Sequence, residues 1–386
     1  MAETSEKTRI AVAGAGYWGM NLVRNYAELG VLTAVCDSNR QTLAALREKY
    51  PSITYYSNIQ ELLSDKEIDG VAIAAPAEMH FSLAREALLS GKDVFVEKPL
   101  ALNLGDAREL KDIAEKNSRV LMVGHLLQYH SAFIKLKELI KKGEIGRIHY
   151  IYSNRLSFGK IRREEDILWS FAPHDISMIL SLAREEPECV MATGGNYLHK
   201  KIADVTTTHL EFPSGLKAHV FVSWLHPFKE QMLVVVGDRN MAVFRDTVPW
   251  GEKLLLYPHN ISWQNGVPVP DKKDASRVEV EQSEPLKAEC THFIECMRAR
   301  GTPVTDAREG IEVLRVLKAS QDSLIDNGRK IYLKEERAKE ETPFHAHESS
   351  FIDEGVSIGA GTKIWHFSHI LKGRSEERRV GKECQS

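Results

Sequence analysis

The chain has 386 residues, 43% of them hydrophobic, and this length predicts two domains, with three as the alternative. The formal net charge of -3 gives no compositional support for nucleic-acid binding. The longest apolar runs have the length of a strand and fall short of the roughly 20 residues that cross a bilayer. The five cysteines form no CxxC pair and the N-terminus lacks an apolar signal core, which predicts a reduced, cytoplasmic location.

The first predicted elements are strands at 10–13 and 32–36, joined by the turn GAGYWG and a helix. This order, at this spacing, is typical of a dinucleotide-binding fold. In such a fold Gly14 permits the tight turn, Gly16 lets the backbone approach the pyrophosphate, and Gly19 lets the helix pack close to the sheet. The positive end of the helix dipole then attracts the phosphates.

Asp37 ends the second strand, 18 residues past Gly19, where a carboxylate can hold the ribose hydroxyls of adenosine. An acid would also repel the 2′-phosphate of NADP and so favours NAD, although the nearby Arg40 leaves NADP open. A lone GxGxxG pattern is compatible with an ordinary loop. The dinucleotide-binding interpretation therefore depends on further strand-like runs at 71–75, 94–96 and 120–123, which alternate with helical patterns at 81–90 and 106–116.

Three of these strands end in residues suited to ligand contact. They are Glu97 and Lys98 in the stretch VFVEKPL, Ala75 and Pro76 followed by His80, and Gly124 and His125. Ligands of doubly wound sheets bind beyond the carboxyl ends of the strands, so these ends should face one crevice. Taken alone, Lys98 is equally compatible with a solvated loop. The predicted cofactor-binding residues are Gly14, Gly16, Tyr17, Trp18, Gly19, Asp37, Ser38, Ala75, Pro76, His80 and Glu97.

The second half of the chain is richer in β-strands and predicts a mostly antiparallel open sheet capped by helices. The predicted strands are 148–155, 190–197, 205–212, 216–224, 233–237 and 241–245, and the helices are 286–300 and 307–326. A sheet with one uncovered face requires a partner, which predicts a homo-oligomer, either a dimer or a tetramer.

GAGYWG, EKP and SFAPHDIS together resemble motifs of the Gfo/Idh/MocA family of nicotinamide-dependent oxidoreductases, over about residues 8–333. The segments VGHLLQYH, SNRLSFGKIR and LWSFAPHDIS are similar to the UDP-sugar 3-dehydrogenase branch, especially the UDP-N-acetylglucosamine uronate (UDP-GlcNAcA) 3-dehydrogenases of surface-polysaccharide biosynthesis. The resemblance implies an α/β chain with a Rossmann NAD-binding domain at 1–127 and an α+β substrate-binding and oligomerisation domain at 128–335. The implied cofactor is NAD.

The implied reaction is NAD-dependent oxidation of the 3-hydroxyl of UDP-GlcNAcA to the 3-keto sugar. UDP-N-acetylglucosamine itself, or another hexose, is the alternative substrate. A non-catalytic NAD-binding sensor of the same fold is the alternative from a different class, and it would have no need of Lys98.

The resemblance implies that Lys98 works in hydride transfer and that His174 assists. Oxidation of a carbinol requires a base for the hydroxyl proton, and burial beside a cationic ring can lower the pKa of a lysine enough to supply one. Many family members carry an aspartate where this chain has Ser170, whereas Asp175 directly follows His174, so Asp175 joins the predicted catalytic residues. Taken alone, His174 is compatible with a buried histidine at a helix start.

The run RLSFGKIRR at 155–163 holds four cations and no acid, which suits the diphosphate and carboxylate of a nucleotide uronate. A solvated basic loop is the alternative. The residues predicted to contact the substrate are Lys98, His125, Asn154, Arg155, Lys160, Trp169 and His174.

Isoleucines recur every six residues at 352, 358, 364 and 370, a period that resembles the opening of hexapeptide-repeat N-acetyltransferases and predicts a short left-handed β-helix fragment. Chance spacing in a disordered tail is the alternative. Residues 336–373 are therefore predicted to be a linker and an incomplete repeat without acetyltransferase activity, and 374–386 a non-native tail. The histidines of this region, which are His345, His347, His366 and His369, lack supporting ligands, so no metal site is predicted.

Overall fold

The computed structural model describes residues 8–159, 161–162, 165–334, 344–346, 351–353, 362–364 and 369–370. The chain divides into two units, residues 1–331 and 332–386, each of which is considered by itself. Among the helices of the described residues, none combines the length and the apolar character that a membrane span requires.

The N-terminal part of the first unit is a six-stranded parallel sheet in the order β3-β2-β1-β4-β5-β6. Its strands are β1 (Ile10–Ala13), β2 (Leu32–Cys36), β3 (Thr54–Tyr56), β4 (Gly70–Ile73), β5 (Asp93–Glu97) and β6 (Leu121–Gly124). The helices between them are α1 (Gly19–Glu28), α2 (Arg40–Lys49), α3 (Ile59–Ser64), α4 (Ala77–Leu89) and α5 (Leu104–Lys116). This strand order is that of a dinucleotide-binding Rossmann domain.

The central strands of this sheet are buried along their whole length, as the unbroken apolar runs IAVA and GVAI of β1 and β4 require. β1 pairs in parallel with β2 on one side and with β4 on the other, so their carboxyl ends lie together. The order of the strands reverses between β1 and β4, and the crevice at this point is where such sheets bind their ligands.

The second sheet has nine strands in the order β16-β13-β12-β11-β7-β10-β9-β8-β17. Its strands are β7 (Ile148–Leu156), β8 (Cys189–Gly195), β9 (Val205–Glu211), β10 (Lys217–Ser223), β11 (Glu230–Gly237), β12 (Met241–Arg245), β13 (Leu254–Tyr257), β16 (Ser276–Arg277) and β17 (Ile331–Tyr332). A separate hairpin is formed by β14 (Asn260–Gln264) and β15 (Val267–Asp271). The helices of this part are α6 (Ser131–Lys141), α7 (Ile167–Ala183), α8 (Pro285–Ala299) and α9 (Ala307–Ile325).

Among the described elements of the first unit, helices cover one face of the mixed sheet. Along β7 the side chains alternate, so that Ile151, Ser153 and Arg155 are buried beneath α7 while Tyr150 and Tyr152 stay half-exposed on the other face. β7 and β10 run in parallel, whereas the pairs from β16 to β7 and from β10 to β8 in this order are antiparallel. The predicted fold, a Rossmann domain followed by an open and mostly antiparallel sheet, is confirmed at this level.

In the second unit, the described residues form two parallel strand pairs, 344–346 with 362–364 and 351–352 with 369–370. In both pairs the partners are 18 residues apart, which equals three of the predicted six-residue repeats. The β-helix fragment stays a prediction, because most of its residues, and the predicted tail at 374–386, lie outside the described residues.

Candidate active site

The glycine turn after β1 has the shape that close approach to a dinucleotide requires. Gly14 has φ +92°, and a Cβ there would lie 2.8 Å from the backbone of Ala74. At Gly19 a Cβ would lie 2.0 Å from the carbonyl oxygen of Gly14, whereas at Gly16 it would meet nothing within 4 Å. The turn is therefore closed on the protein side and open at Gly16, on the side where a pyrophosphate would approach.

The N-terminus of α1 fits an anionic ligand. Neither a side-chain cap nor an acidic residue occupies its first turn, so within the described residues this turn holds no group of its own that would compete with a ligand for the positive end of the helix dipole. Tyr17 is 91% exposed and Trp18 39% exposed, directly beside this helix end. These residues fit the pyrophosphate of NAD.

Asp37, directly after β2, accepts hydrogen bonds from the backbone N–H groups of Ala15 (2.7 Å) and Asn39 (2.8 Å). The first bond fixes the carboxylate against the glycine turn, and Asn39 caps α2. Ser38 lies exposed between them. A carboxylate held at this position suits the ribose hydroxyls of an adenosine, as the sequence predicts.

His80 joins the ends of β4 and β5. Its buried ring lies with Nδ1 2.7 Å from the carbonyl oxygen of Pro99 and with Nε2 2.9 Å from that of Ala75. Burial lowers the pKa of His80. Pro76 lies exposed at the start of α4. The two contacts of His80 join the end of β4 to the loop that carries Lys98 and hold this loop beside the predicted cofactor site.

Glu97, the last residue of β5, lies beneath the glycine turn. Its Oε1 accepts a hydrogen bond from the indole N–H of Trp18, and a Cβ on Gly124 would lie 2.9 Å from its Oε2. Burial raises the pKa of this carboxyl to about 7. Glu97 therefore positions Trp18 from below the predicted cofactor site.

Lys98 leaves the sheet where Pro99 stops the strand, and its Nζ donates to the carbonyl oxygen of Ser170 over 2.9 Å. Ser170 lies in the first turns of α7, whose hydrogen-bond ladder is interrupted because Pro173 has no N–H. Burial lowers the pKa of Lys98, against the opposing influence of Glu165 and Glu97. The lysine thus bridges the Rossmann domain and the helix over the mixed sheet.

His174 lies one turn along α7 from Ser170, in an edge-to-face contact with His125 whose ring centroids are 6.5 Å apart. Burial, followed by the charge of Lys98, holds the pKa of His174 well below its ordinary value, so the imidazole is neutral. Its Nδ1 is buried and has no hydrogen-bond partner among the described residues. An unpartnered ring nitrogen here suits a polar group of a ligand.

Asp175 forms a buried ion pair with Arg155. Its carboxylate accepts from Nε of Arg155 at 2.5 Å and from Nη2 at 3.3 Å, and it also accepts from the hydroxyl of Ser153. Asp175 is 1% exposed and Arg155 7% exposed, so the pair ties β7 to α7 inside the protein. Both residues lie near the site, but their charged groups are directed at each other.

The remaining residues predicted to contact the substrate are Asn154, Trp169 and Lys160. Asn154 donates from Nδ2 to Glu230 over 2.8 Å and lies on the face of β7 opposite Arg155, so the structure does not bring it together with Lys98. Trp169 is buried next to Ser170, and its indole N–H has no hydrogen-bond partner among the described residues. Lys160 lies outside the described residues.

Two further residues of this site, Glu309 and Ser177, were not predicted from the sequence. Glu309, in the first turn of α9, lies 2.5 Å from Nδ1 of His125, and it also accepts a hydrogen bond from the hydroxyl of Ser177. Glu309 is 184 positions from His125 along the chain, so no local motif joins them. An acid in the first turn of a helix is commonly explained by its favourable interaction with the helix dipole, so Glu309 carries no sequence signal of its contact with His125.

Two family models match this chain in sequence. The Gfo/Idh/MocA oxidoreductase family with NAD-binding Rossmann fold matches residues 8–125, and the Gfo/Idh/MocA C-terminal domain matches residues 133–243. The chain belongs to the Gfo/Idh/MocA family of oxidoreductases. The predictions of an NAD-binding Rossmann domain, of NAD as cofactor and of an oxidoreductase are thereby confirmed.

The relatives of this family member differ in how much of their length they share with it. UDP-N-acetylglucosamine 3-dehydrogenase from Acidithiobacillus ferrooxidans is 27% identical over 79% of this chain and 94% of its own. An uncharacterized oxidoreductase from Streptococcus pneumoniae is 30% identical over 60% of this chain and 66% of its own, and myo-inositol 2-dehydrogenase from Thermotoga maritima is 28% identical over 54% and 66%.

The fold is also that of a solved relative. The structure of UDP-N-acetylglucosamine 3-dehydrogenase GnnA from Acidithiobacillus ferrooxidans superposes with a TM-score of 0.73 and 24% identity, covering 82% of this chain and 97% of the other. At this identity the likeness shows the shared fold.

Proposed function

We propose that this chain is an NAD-dependent dehydrogenase that oxidises the 3-hydroxyl of a UDP-N-acetylamino sugar, with UDP-GlcNAcA as the first candidate. The observation that carries the proposal is the 2.9 Å hydrogen bond from Lys98 to Ser170, which brings the lysine that follows β5 against the helix that carries His174. The similarity to a UDP-N-acetylglucosamine 3-dehydrogenase along 94% of that relative supports oxidation at the 3-hydroxyl.

In this proposal Lys98 is the general base. A free lysine titrates near 10.4, and burial lowers the pKa of Lys98, so that part of the population carries a neutral amine that can take the hydroxyl proton. Bound NAD supplies the acceptor for the hydride that leaves the same carbon. His174 stays neutral, and we assign its unpartnered Nδ1 to a hydrogen bond with the sugar.

We assign Asp175 a positioning role in place of the catalytic role that the sequence predicts. Its carboxylate already accepts from Arg155 and Ser153 and is 1% exposed, so it has no free oxygen to offer a substrate. The ion pair fixes α7 against β7 and thereby fixes the ring of the adjacent His174.

The ion pairs of Arg155 and Arg162 are relevant to which sugar the site accepts. Arg155 is matched by Asp175, and Arg162 lies 2.9 Å from Glu165, so both already have a carboxylate partner. To pair with either of these two described arginines, a uronate carboxylate would have to displace one of these acids. This pairing is an argument for the second candidate, UDP-N-acetylglucosamine, whose sugar is neutral, whereas the resemblance of SNRLSFGKIR and LWSFAPHDIS supports the uronate as the first candidate.

A panel of UDP-sugars tests the proposal directly. Purified protein is mixed with NAD and with UDP-GlcNAcA, UDP-N-acetylglucosamine, UDP-glucose or myo-inositol, and NADH formation is recorded by absorbance. The proposal predicts reduction with at least one of the two N-acetylated nucleotides and none with myo-inositol. Equal rates with the first two would remove a carboxylate-binding role, and turnover with myo-inositol alone would overturn the proposal.

We also propose that the uncovered face of the mixed sheet joins copies of the chain. Tyr150, Tyr152 and His219 are half-exposed there, and the rings of Tyr152 and His219 stack with centroids 5.4 Å apart. A charge introduced by Tyr152→Glu should convert an oligomer to a monomer in sedimentation velocity, and an unchanged coefficient would contradict this interface. A cytoplasmic location and the incomplete acetyltransferase repeat stay predictions.

A further inference from the structure

A chain of hydrogen bonds runs from the surface of α6 to His125, at the carboxyl end of β6. Nζ of Lys137 donates to Oε1 of Gln128 over 3.1 Å, and Nε2 of Gln128 donates to the hydroxyl of Ser177 over 2.9 Å. That hydroxyl donates to Oε1 of Glu309 over 2.5 Å, and Oε2 of Glu309 lies 2.5 Å from Nδ1 of His125.

The direction of this chain is fixed at both of its ambiguous groups. The amide of Gln128 must present its nitrogen to Ser177, because Nε2 also lies 3.0 Å from the backbone carbonyl oxygen of Ser177 and because Lys137 can only donate to the other end. The hydroxyl of Ser177 accepts from Gln128, so its own proton goes to Glu309. Glu309 therefore accepts from Ser177 at Oε1, and its Oε2 faces Nδ1 of His125.

A close packing contact brings Glu309 within reach of His125. The next residue, Gly310, packs against β6 so tightly that a Cβ there would lie 2.8 Å from Cγ2 of Val123 and 3.2 Å from Cδ2 of Leu100. A glycine at the start of α9 thus lets the helix approach the strand end. His125 is 2% exposed, so water does not compete with Glu309 for Nδ1.

A neutral imidazole carries one proton, and the contact with Glu309 places that proton on Nδ1. Nε2, on the opposite edge of the ring, then holds a lone pair and makes no hydrogen bond within the described residues. His174 differs, because its Nδ1 has no partner in the described structure and its tautomer is left free. The protein therefore determines the tautomer of His125 but not that of His174.

We propose that Glu309 is a positioning residue that holds His125 in the Nδ1–H tautomer, so that Nε2 accepts a hydrogen bond from a hydroxyl of the bound sugar. The proposal rests on the proposed function for the identity of the ligand, but the tautomer itself is a property of the chain alone. His125 then selects a ligand that offers a donor at this point and disfavours one that offers only an acceptor.

The first test observes the tautomer without any turnover. The full chain is labelled with ¹⁵N-histidine, and long-range ¹H–¹⁵N correlation spectra are recorded at mildly alkaline pH, with the signals of His125 assigned by their loss in His125→Gln. The proposal predicts a protonated Nδ1 and an unprotonated Nε2. An Nε2–H tautomer in the unmodified protein overturns it, whatever the substrate proves to be.

The variant Glu309→Gln supplies the second test. The amide can keep accepting from Ser177 through its oxygen only by offering its N–H to Nδ1 of His125, which moves the proton of His125 to Nε2. We expect the Nε2–H signal to appear, the affinity for NAD to stay unchanged, and kcat/KM for the sugar nucleotide to fall by about tenfold, as expected for one lost hydrogen bond.

Two controls separate this effect from a loss of folding. Asp322→Asn neutralises a carboxylate 13 positions further along α9, in a surface ion pair with Lys318, and it should alter neither the tautomer nor the kinetics. Glu309→Asp keeps the carboxylate and should retain the Nδ1–H tautomer. Persistence of the Nδ1–H form in Glu309→Gln, or an unchanged kcat/KM alongside a switched tautomer, contradicts the proposal.

Discussion

Nε of Arg155 donates to Oδ2 of Asp175 over 2.5 Å, and this ion pair is buried between β7 and α7. Removing one partner of a buried pair leaves the other charge without compensation, which costs about 3 to 5 kcal/mol. We predict that Asp175→Asn lowers the free energy of unfolding by this amount in urea denaturation.

An exposed ion pair provides the matched control for that substitution. Nζ of Lys318 lies 2.7 Å from Oδ1 of Asp322 on the surface of α9, and such pairs contribute about 0.3 to 0.5 kcal/mol. Asp322→Asn should therefore leave the denaturation curve almost unchanged. If the two variants lose similar stability, the ion pair of Asp175 does not hold α7 to the sheet.

Gly16 and Gly19 should respond differently to the same change. A methyl group at Gly19 would lie 2.0 Å from a backbone oxygen, so Gly19→Ala should destabilise the fold by about 1 to 3 kcal/mol or more. A methyl group at Gly16 meets nothing, so Gly16→Ala should fold normally but weaken NAD binding by at least about tenfold. Calorimetric titration with NAD, alongside thermal unfolding, checks both, and normal NAD affinity in Gly16→Ala would contradict the assigned pyrophosphate site.

Glu97 predicts a pH dependence of stability in the absence of NAD. Burial raises its pKa from 4.5 to about 7, so between these values the folded protein binds a proton that the unfolded chain has released. The free energy of unfolding should therefore fall by about 3 kcal/mol as the pH rises through this window. Glu97→Gln removes the titration, and the difference between the wild-type and variant urea curves at each pH isolates it. A difference that stays constant with pH would contradict the raised pKa.

Much of the Rossmann half could be predicted from the sequence because its signals are local. The strands 10–13 and 32–36 have the predicted bounds, and the residues after β4, β5 and β6 lie at one edge of the sheet because these strands are parallel. The predicted boundaries of the other strands differ by a few residues, since burial continues into flanking residues such as Asp93.

The features of the site that could not be predicted from the sequence depend on long-range packing. Asn154 and Arg155 are neighbours in one motif, yet the alternation along β7 directs them to opposite faces, and the prediction did not consider register. Asp175 was predicted to be catalytic because the sequence does not show its ion pair with Arg155, which lies 20 positions away on another element. The helix α7, which carries both Ser170 and His174, contains Pro173, and a proline argues locally against a helix interior.

The central claim is that Lys98 is the base, and Lys98→Met together with Lys98→Arg tests it most directly. Methionine removes the amine, and arginine keeps a hydrogen-bond donor for Ser170 but cannot give up its proton. The measurement is single-turnover NADH formation with the sugar nucleotide that the wild type oxidises, after NAD binding has been titrated for each variant. Intact NAD binding with hydride transfer slower by about 10² to 10⁴-fold in both variants is the predicted result. Transfer within tenfold of the wild type in either variant would contradict the claim and show that the base of the reaction lies elsewhere.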